Sequence, residues 1–474
     1  MEHTETIIDP PADFPFDPPP EFPFGEPPSV APSPPLPPPS PSPRPSSLPS
    51  AGPAPVADPA PAPSLESRLR PPATPEGLGI SLAVVEDVVL RQIVLDVRVA
   101  TTTLAHKLHV SANVIEQVAQ SMRDHNLVEY QGLDGRAYVL TPTEVGRAHA
   151  GQRSAECRYV GPLPVALPLY HEVVRAQHPT LQLNRALLEE SFADLVIAPD
   201  LLDELGPAIH SDGAMFLYGP PGTGKSSVAE RIVRAHRDWV LVPHCLEVQG
   251  QIISVFDPTL HEPVAQQPEG LDPRWVACLR PAVVTGGELH PGMLDLQLEP
   301  DSGVYLAPLQ LKANNGVFVV DDFGRQSASP EALLNRWIVP LDRGIDYLTL
   351  MGRKFEVPFD LKVVLSTNLQ PASLGDDAFF RRIHNKVFIG ACSDTEFDEI
   401  LRRASAHHGV AVMPEASEHL RFFARHQGDG ELRAYLPGMV CKLALSIARY
   451  HGVEPVLSPD LIDRVMALYF TREF

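Results

Sequence analysis

The stretch Met215-Phe216-Leu217-Tyr218-Gly219-Pro220-Pro221-Gly222-Thr223-Gly224-Lys225-Ser226-Ser227-Val228-Ala229-Glu230-Arg231-Ile232-Val233 passes from an apolar strand, through a glycine-rich loop, into a helix. It matches G-x-x-x-x-G-K-[ST] in the strand-loop-helix setting that gives this pattern its meaning. Glycines let the backbone curl so that successive N–H groups face phosphate oxygens at the positive end of the following helix. The spacing predicts that Gly219, Pro220, Pro221, Gly222, Thr223, Gly224, Lys225, Ser226 and Ser227 cradle the phosphates of ATP. Lys225 is expected to neutralise the β and γ phosphates, and the Ser226 hydroxyl to ligate Mg²⁺.

Such a loop needs an acid strand beside it. Gly316-Val317-Phe318-Val319-Val320 is a continuous apolar run, as expected of a strand buried on both faces, and it ends at Asp321-Asp322. Asp321 is the expected second holder of Mg²⁺, and Asp322 stands where a base polarises the attacking water. That base is usually Glu; Asp is one methylene shorter, so slow hydrolysis is expected. A third strand, Leu361-Lys362-Val363-Val364-Leu365-Ser366, leads to Thr367-Asn368, and the Asn368 amide is placed between acid strand and loop to sense the γ-phosphate. Asp377-Ala378-Phe379-Phe380-Arg381-Arg382-Ile383 follows, with Arg381 and Arg382 positioned at a helix end to reach a neighbouring subunit's γ-phosphate.

These four elements, in this order, resemble the AAA+ ATPases from about Tyr170 to the C-terminus. The resemblance implies a P-loop α/β core with a parallel sheet and a C-terminal helical lid. A helix at Ser329 to Trp337, followed by a hairpin from Leu341-Asp342-Arg343 through Thr349-Leu350 and Gly352 to Phe359, is similar to the MoxR and chelatase-like branch. Members of that branch remodel or assemble client proteins. The wider arrangement, with Arg158 to Pro162, Asp321-Asp322-Phe323-Gly324-Arg325-Gln326 and Leu334-Asn335-Arg336-Trp337, looks like a group of bacterial AAA+ proteins known only as ATPases. The resemblance also implies a sensor arginine near the start of the helix at Met439 to Tyr450. Arg433 is the candidate, although related sequences often carry a basic residue just after the proline, where this chain has Gly438; a surface arginine is the other reading.

Upstream, residues 79–150 show helical periodicity at Leu82, Val85, Val88, Val89 and Leu95, at Leu104 to Leu108, and at Val114, Ile115, Val118 and Met122 behind the cap Ser111. Leu127-Val128-Glu129-Tyr130, a Gly132-Leu133-Asp134-Gly135 turn and Ala137-Tyr138-Val139-Leu140 then read as a hairpin. This is the winged-helix order, and residues 99–126 resemble a helix-turn-helix. Arg91, Arg98, Lys107, Arg123, Arg136 and Arg147 face eight acids between Ile80 and Ala150, and the third helix offers Arg123 alone as a basic side chain. That is a poor phosphate footprint, so protein binding is favoured over DNA.

Of the chain's 474 residues, 53 are proline, and roughly half of these fall in the first 75 residues, where about one in twenty is ordinary. Residues 1–78 therefore read as a disordered, acidic, proline-rich tail. It holds a short repeat, Asp13-Phe14-Pro15-Phe16 and Glu21-Phe22-Pro23-Phe24, which reads either as a duplicated docking peptide for a protein client or as low complexity. The net charge of -21, from 59 acidic and 38 basic residues, repels phosphate backbones and anionic membranes. Five scattered cysteines form neither a disulfide framework nor a zinc cluster, and His244, His261 and His290 lack metal-ligand spacing. No membrane span or signal peptide is found, so a cytoplasmic protein is expected.

The expected organisation is thus a tail (1–78), a winged-helix-like domain (79–150), a linker (151–190), an AAA+ core (191–392) and a helical lid (393–474). Trans-acting arginines require a ring, taken as a homohexamer, that remodels or assembles a protein client. A DNA-linked regulator and a nucleotide-gated scaffold with little hydrolysis are the alternatives.

Overall fold

The computed structural model describes residues 65–178, 184–232, 235, 238–370, 381, 383–426 and 430–469. Both Phe-Pro-Phe copies, Arg382 and residues 377–380 lie outside them. Residues 65–78, assigned to the tail by composition, belong to the folded part. Leu65 and Leu69 pack on the core of a mixed sheet, Asp272 donates its backbone N–H to Leu69 O at 2.7 Å, and Leu78 is fully buried. Proline density marks an extended chain, but an extended chain still docks where its leucines meet apolar partners.

The next segment runs α1 (Leu82–Asp96), β1 (Val99–Ala100), α2 (Thr101–Leu108), α3 (Ala112–Asp124), β2 (Val128–Asp134), β3 (Ala137–Pro142) and α4 (Glu144–Glu156). Val85, Val88, Leu104, Ile115, Val118 and Met122 form its core, whereas Leu82 and Leu95 at the two ends of α1 are exposed. Ser111 Oγ accepts from Val114 N at 3.4 Å and caps α3; His109 closes α2 in the left-handed region at φ 57°. The strands pair in the order β1-β3-β2. They continue through the expected turn, because Gly132 at φ 140° absorbs a bulge and the chain reverses at Gly135-Arg136 instead.

Residues 151–178, expected in the linker (151–190), are part of the packed fold. They complete α4, then form β4 (Val165–Ala166) and α5 (Leu167–Ala176), whose Val165, Leu169, Tyr170, Val173 and Val174 are buried. Strand β4 is the edge of a mixed sheet ordered β11-β12-β8-β7-β4. Along the chain follow α6 (Pro199–His210), β5 (Ala214–Tyr218), α7 (Lys225–Ile232), β6 (Trp239–Pro243), β7 (Cys245–Val248), β8 (Gln251–Ser254), β9 (Trp275–Leu279), β10 (Ala282–Thr285), β11 (Gln297–Glu299), β12 (Val304–Leu306) and β13 (Val317–Val320). Cys245, Ile252 and Val304 of the mixed sheet enter the core of the N-terminal module, so the two share one apolar interior.

After β13 come α8 (Pro330–Arg343), the hairpin β14 (Ile345–Leu350) and β15 (Arg353–Pro358), β16 (Lys362–Thr367) and β17 (Asn385–Phe388). Leu341 to Arg343, expected in the hairpin, are the last turn of α8. Gly344 at φ 64° ends that helix by donating to Pro340 O at 2.9 Å. A five-stranded parallel sheet is ordered β10-β13-β16-β5-β17. Its side chains alternate between two covered faces. Phe216, Phe318, Val320, Val363 and Leu365 meet Leu333, Leu334 and Trp337 of α8, while Met215, Leu217, Val319 and Val364 meet Leu205 and Ile209 of α6 and Val228, Ala229 and Ile232 of α7.

The C-terminal helices are α9 (Asp394–His408), α10 (Pro414–His426), α11 (Tyr435–His451) and α12 (Pro459–Tyr469), packed around Phe397, Leu401, Leu420, Val440 and Ile462. Helix α9 opens with a capping box between Ser393 and Glu396. Helix α11 starts at Tyr435, earlier than the apolar periodicity suggested, because Pro437 is tolerated in a first turn. No helix among the described residues is long and apolar enough to cross a membrane.

Candidate nucleotide site

Strand β5 is flanked by β16 and β17 in the parallel sheet and releases the chain at Gly219. Gly219, Gly222 and Gly224 all have positive φ (149°, 76° and 96°), the region that side chains avoid. A Cβ on Gly219 would lie 2.2 Å from Ile389 O, just beyond β17, so no larger residue fits. Lys225 opens α7 and is 5% exposed. Its Nζ donates to Gly219 O at 3.0 Å and Pro220 O at 2.7 Å, and Thr223 Oγ1 also donates to Pro220 O at 3.0 Å. Burial pushes the Lys225 amine below its ordinary value, Asp321 and Asp322 pull it back up, and Arg433 opposes them. The amine therefore lies in the field of both acids.

Those acids follow β13, all four residues of which are buried. Asp321 donates its N–H to Thr285 O at the end of β10 at 2.7 Å. Asp322 takes a left-handed backbone, φ 47°, and its N–H donates to Asp321 Oδ1 at 3.0 Å. Strand β16 lies between β13 and β5, which puts Asn368 between acids and loop. Asn368 Nδ2 donates to Asp322 Oδ1 at 2.9 Å. Phe323 N donates to Ser366 O and Thr367 Oγ1 to Phe323 O, each at 2.7 Å, locking the turn after the acids to the end of β16.

Loop, acids and Asn368 line one cleft of about 660 Å³. Leu195, Val196, Ile197, Ile389 and Ile400 also line it, alongside Asp194, Arg403, His407 and His408. A pocket that combines apolar side chains with a few charged groups suits the base and phosphates of a nucleotide. Ser226 is exposed at this cleft and Asp321 also lines it; a hydroxyl and a carboxylate match the oxygen ligands that Mg²⁺ prefers. Among the described residues no group of three or more His, Cys, Asp or Glu could hold a metal, so an ion here would complete its shell with water and phosphate.

A family model described as a domain of unknown function (DUF8689) matches residues 393–468. No curated protein matches the chain. Among solved structures, the chain is similar to NtrX from Brucella abortus in complex with ADP, at 16% identity and TM-score 0.38, covering 60% of this chain and 59% of that one. It is also similar to the Thermotoga maritima RuvB Holliday junction branch migration motor, at 14% identity and TM-score 0.33, covering 62% and 72%. A mutant of RuvB gives 15% identity and TM-score 0.37, covering 60% and 73%.

The remaining expected residues are distributed as follows. Arg381 is exposed in a separate recess with Asp212, Ala214, Asp342 and His384 at the start of β5, the sheet edge opposite the loop. One strand length, roughly 17 Å, separates the two edges, so Arg381 is not aimed at the cleft of its own chain. Arg382 lies outside the described residues. Arg433 is largely buried, pairs with Glu431 at 3.2 Å and acts on the Lys225 amine through its charge.

Two residues without an expected role shape the site. Gln326 donates from Nε2 to Asp321 O (3.1 Å), Asp322 O (3.3 Å) and Gly286 O (3.3 Å) and accepts from Gly324 N (2.8 Å), holding the acid turn against the loop after β10. Its place four residues past Asp322 was the one available signal. Tyr435 donates its N–H to Gly222 O at 3.2 Å and lays its ring on that glycine; no local pattern marks it. A Cβ on Gly222 would lie 2.4 Å from the Tyr435 ring. Gly222→Ala is therefore expected to weaken ATP binding about tenfold or more, and the double variant with Tyr435→Ala to recover only part of it. The clash is then removed, while the left-handed backbone still costs about 1–2 kcal/mol for Ala. Nucleotide titration of the two variants checks this, and full recovery would contradict it.

Proposed function

We propose that this chain is an Mg²⁺-dependent AAA+ ATPase that assembles into a ring and couples ATP binding and hydrolysis to remodelling or assembly of a protein client. The observation that carries the proposal is the convergence of Lys225, Asp321, Asp322 and Asn368 on one cleft. In it Lys225 exchanges two backbone carbonyls for phosphate oxygens. Ser226 and Asp321 are the residues that would hold Mg²⁺, which when bound neutralises charge on the phosphates. Asp322 takes the proton of the attacking water, and Asn368, already bonded to Asp322, orients that carboxylate.

Helices α9 to α12 act as the lid, fastened where Arg403 Nη1 donates to Ala193 O at 2.8 Å and Leu195 O at 3.2 Å, and where Tyr435 meets Gly222. Arg433 approaches the phosphates from this side. The N-terminal module is a winged helix serving as a protein adaptor, and the Phe-Pro-Phe tail recruits the client in the cytoplasm. Phosphate release that needs both ATP and Mg²⁺ and stops on chelation tests the activity. The short Asp322 favours one second reading, a nucleotide-gated scaffold, which the same assay separates by giving binding without turnover.

Arg381, at the sheet edge away from its own cleft, serves the next subunit. Arg381→Ala is expected to lower turnover per subunit by a factor on the order of 10³ while ATP still binds. Mixing Arg381→Ala chains with Lys225→Ala chains, each inactive alone, then restores part of the activity, because an intact arginine faces an intact loop at some interfaces. Unchanged turnover in Arg381→Ala, with Arg382→Ala also unchanged, would remove the trans assignment.

A further inference from the structure

Helix α3 is the element that a DNA-reading helix-turn-helix presents to a groove, and here its cap Ser111 and two of its outward side chains are engaged by the chain itself. Ser111 Oγ donates to Pro72 O at 3.0 Å, Asn113 Nδ2 to Ala73 O at 2.7 Å, and Gln117 Nε2 to Ala73 O at 3.5 Å. Asn113 and Gln117 are four residues apart and so lie one above the other on a single helix face. All three donors converge on two successive carbonyls within Pro71-Pro72-Ala73-Thr74-Pro75.

A segment with three prolines in five residues has few N–H groups and little conformational freedom to lose. What it presents is carbonyl oxygen, and side-chain amides and hydroxyls are the matching donors. The segment is tied down on both sides of this contact. Leu69 O accepts from Asp272 N at 2.7 Å, and Leu78 O accepts from the buried Arg274 guanidinium at 3.4 Å, with Arg274 and Asp272 themselves paired at 2.7 Å. Between them Gly77 N donates to Thr74 O and Leu78 N to Pro75 O, each at 3.1 Å, which bends the strap back toward α1.

The charge of the module points the same way. Arg91 is buried, donating to Tyr159 O at 3.0 Å and Cys157 O at 2.8 Å; Lys107 pairs with Asp96 at 2.6 Å; Arg123 lies over the Tyr130 ring at 5.1 Å. Arg98, Lys107, Arg123, Arg136 and Arg147 stay exposed, but on α3 itself Arg123 is the single basic side chain, against Glu116 and Asp124 on the same helix, a weak footprint for a phosphate backbone.

We propose that the α3 face bearing Ser111, Asn113 and Gln117 is a docking site for an extended, proline-containing peptide, recognised through its backbone carbonyls, and that residues 71–75 of the same chain occupy it. The site is independent of the nucleotide cleft. Its occupation covers the N-terminal half of the outward face of α3.

The test uses the full chain with the strap weakened by Pro72→Gly, Ala73→Gly and Thr74→Gly, and a fluorescent peptide of residues 69–78 as probe. Saturable binding is expected, becoming roughly tenfold weaker when Asn113→Ala and Gln117→Ala are added, the loss of two neutral hydrogen bonds. Absence of saturable binding, or binding indifferent to the two alanines, overturns the proposal. So does a random-sequence DNA duplex that binds at physiological salt and is lost with Asn113→Ala and Gln117→Ala, which would make α3 a DNA reader. Should the glycine variant fail to fold, hydrogen exchange in the otherwise unaltered chain decides: the Gly77 and Leu78 amides exchange several-fold faster in Asn113→Ala/Gln117→Ala, and unchanged exchange counts against the site.

Discussion

Lys225→Ala is expected to weaken ATP binding by roughly a hundredfold or more, from charge-assisted contacts to phosphate of about 1.5–3 kcal/mol each. Titration with a fluorescent nucleotide reads the change. The amine is 5% exposed and held by Gly219 O and Pro220 O, so it is already positioned for the phosphates before they arrive. The same truncation has opposing effects on stability. It removes a charge that burial disfavours, and it strips one donor each from two loop carbonyls, of which Pro220 O keeps the Thr223 hydroxyl. Melting temperature should therefore move by only a few degrees, and nucleotide binding at unaltered strength would show that the loop does not hold phosphate.

Asp322→Asn should lower phosphate release by about 10² to 10⁴, the range for removal of a positioned base, while leaving ATP affinity nearly unchanged. Asn is a suitable replacement for two reasons visible in the site. Its side-chain oxygen still accepts from Asn368 Nδ2, and Asn tolerates the left-handed backbone that Asp322 adopts at φ 47°. Asp322→Val is the control for that backbone, since a branched side chain there is destabilising by about 1–2 kcal/mol. If the chain forms a nucleotide-loaded ring, Asp322→Asn traps it, and light scattering on a sizing column shows a ring-sized species with ATP and Mg²⁺. Hydrolysis at the rate of the unaltered chain would mean that another group takes the proton. A monomer with and without nucleotide would remove the argument for arginines acting in trans.

The placement of Lys225, Asp321, Asp322 and Asn368 around one cleft was legible before any coordinates. Asp321, Asp322 and Asn368 follow short apolar runs that read as buried strands, Lys225 follows the glycine loop after another, and parallel strands line up their ends along one sheet edge. The helix cap at Ser111 is local in the same sense, settled by a bond that reaches three residues. Elsewhere local patterns misled. Residues 151–190 looked like a linker because β4 is two residues long and is recognisable only beside β7. Gly132 to Gly135 looked like a turn because glycine spacing cannot tell a bulge from a reversal; the partner strand β3 decides that.

The chain's own pattern was thus enough for the phosphate loop, the acid strand, the strand that brings Asn368 beside it and helices α7 and α8 on the two faces of the sheet, since periodicity and glycine loops act over a few residues. Only the folded chain decided that Tyr435 lies on Gly222, that Gln326 holds the acid turn, that Arg381 faces away from its own cleft, and that Asn113 and Gln117 hold the proline strap. Those outcomes depend on side chains meeting backbone from distant parts of the chain, and their geometry is set by how the sheet, the helices and the strap pack together, which no short window of residues encodes.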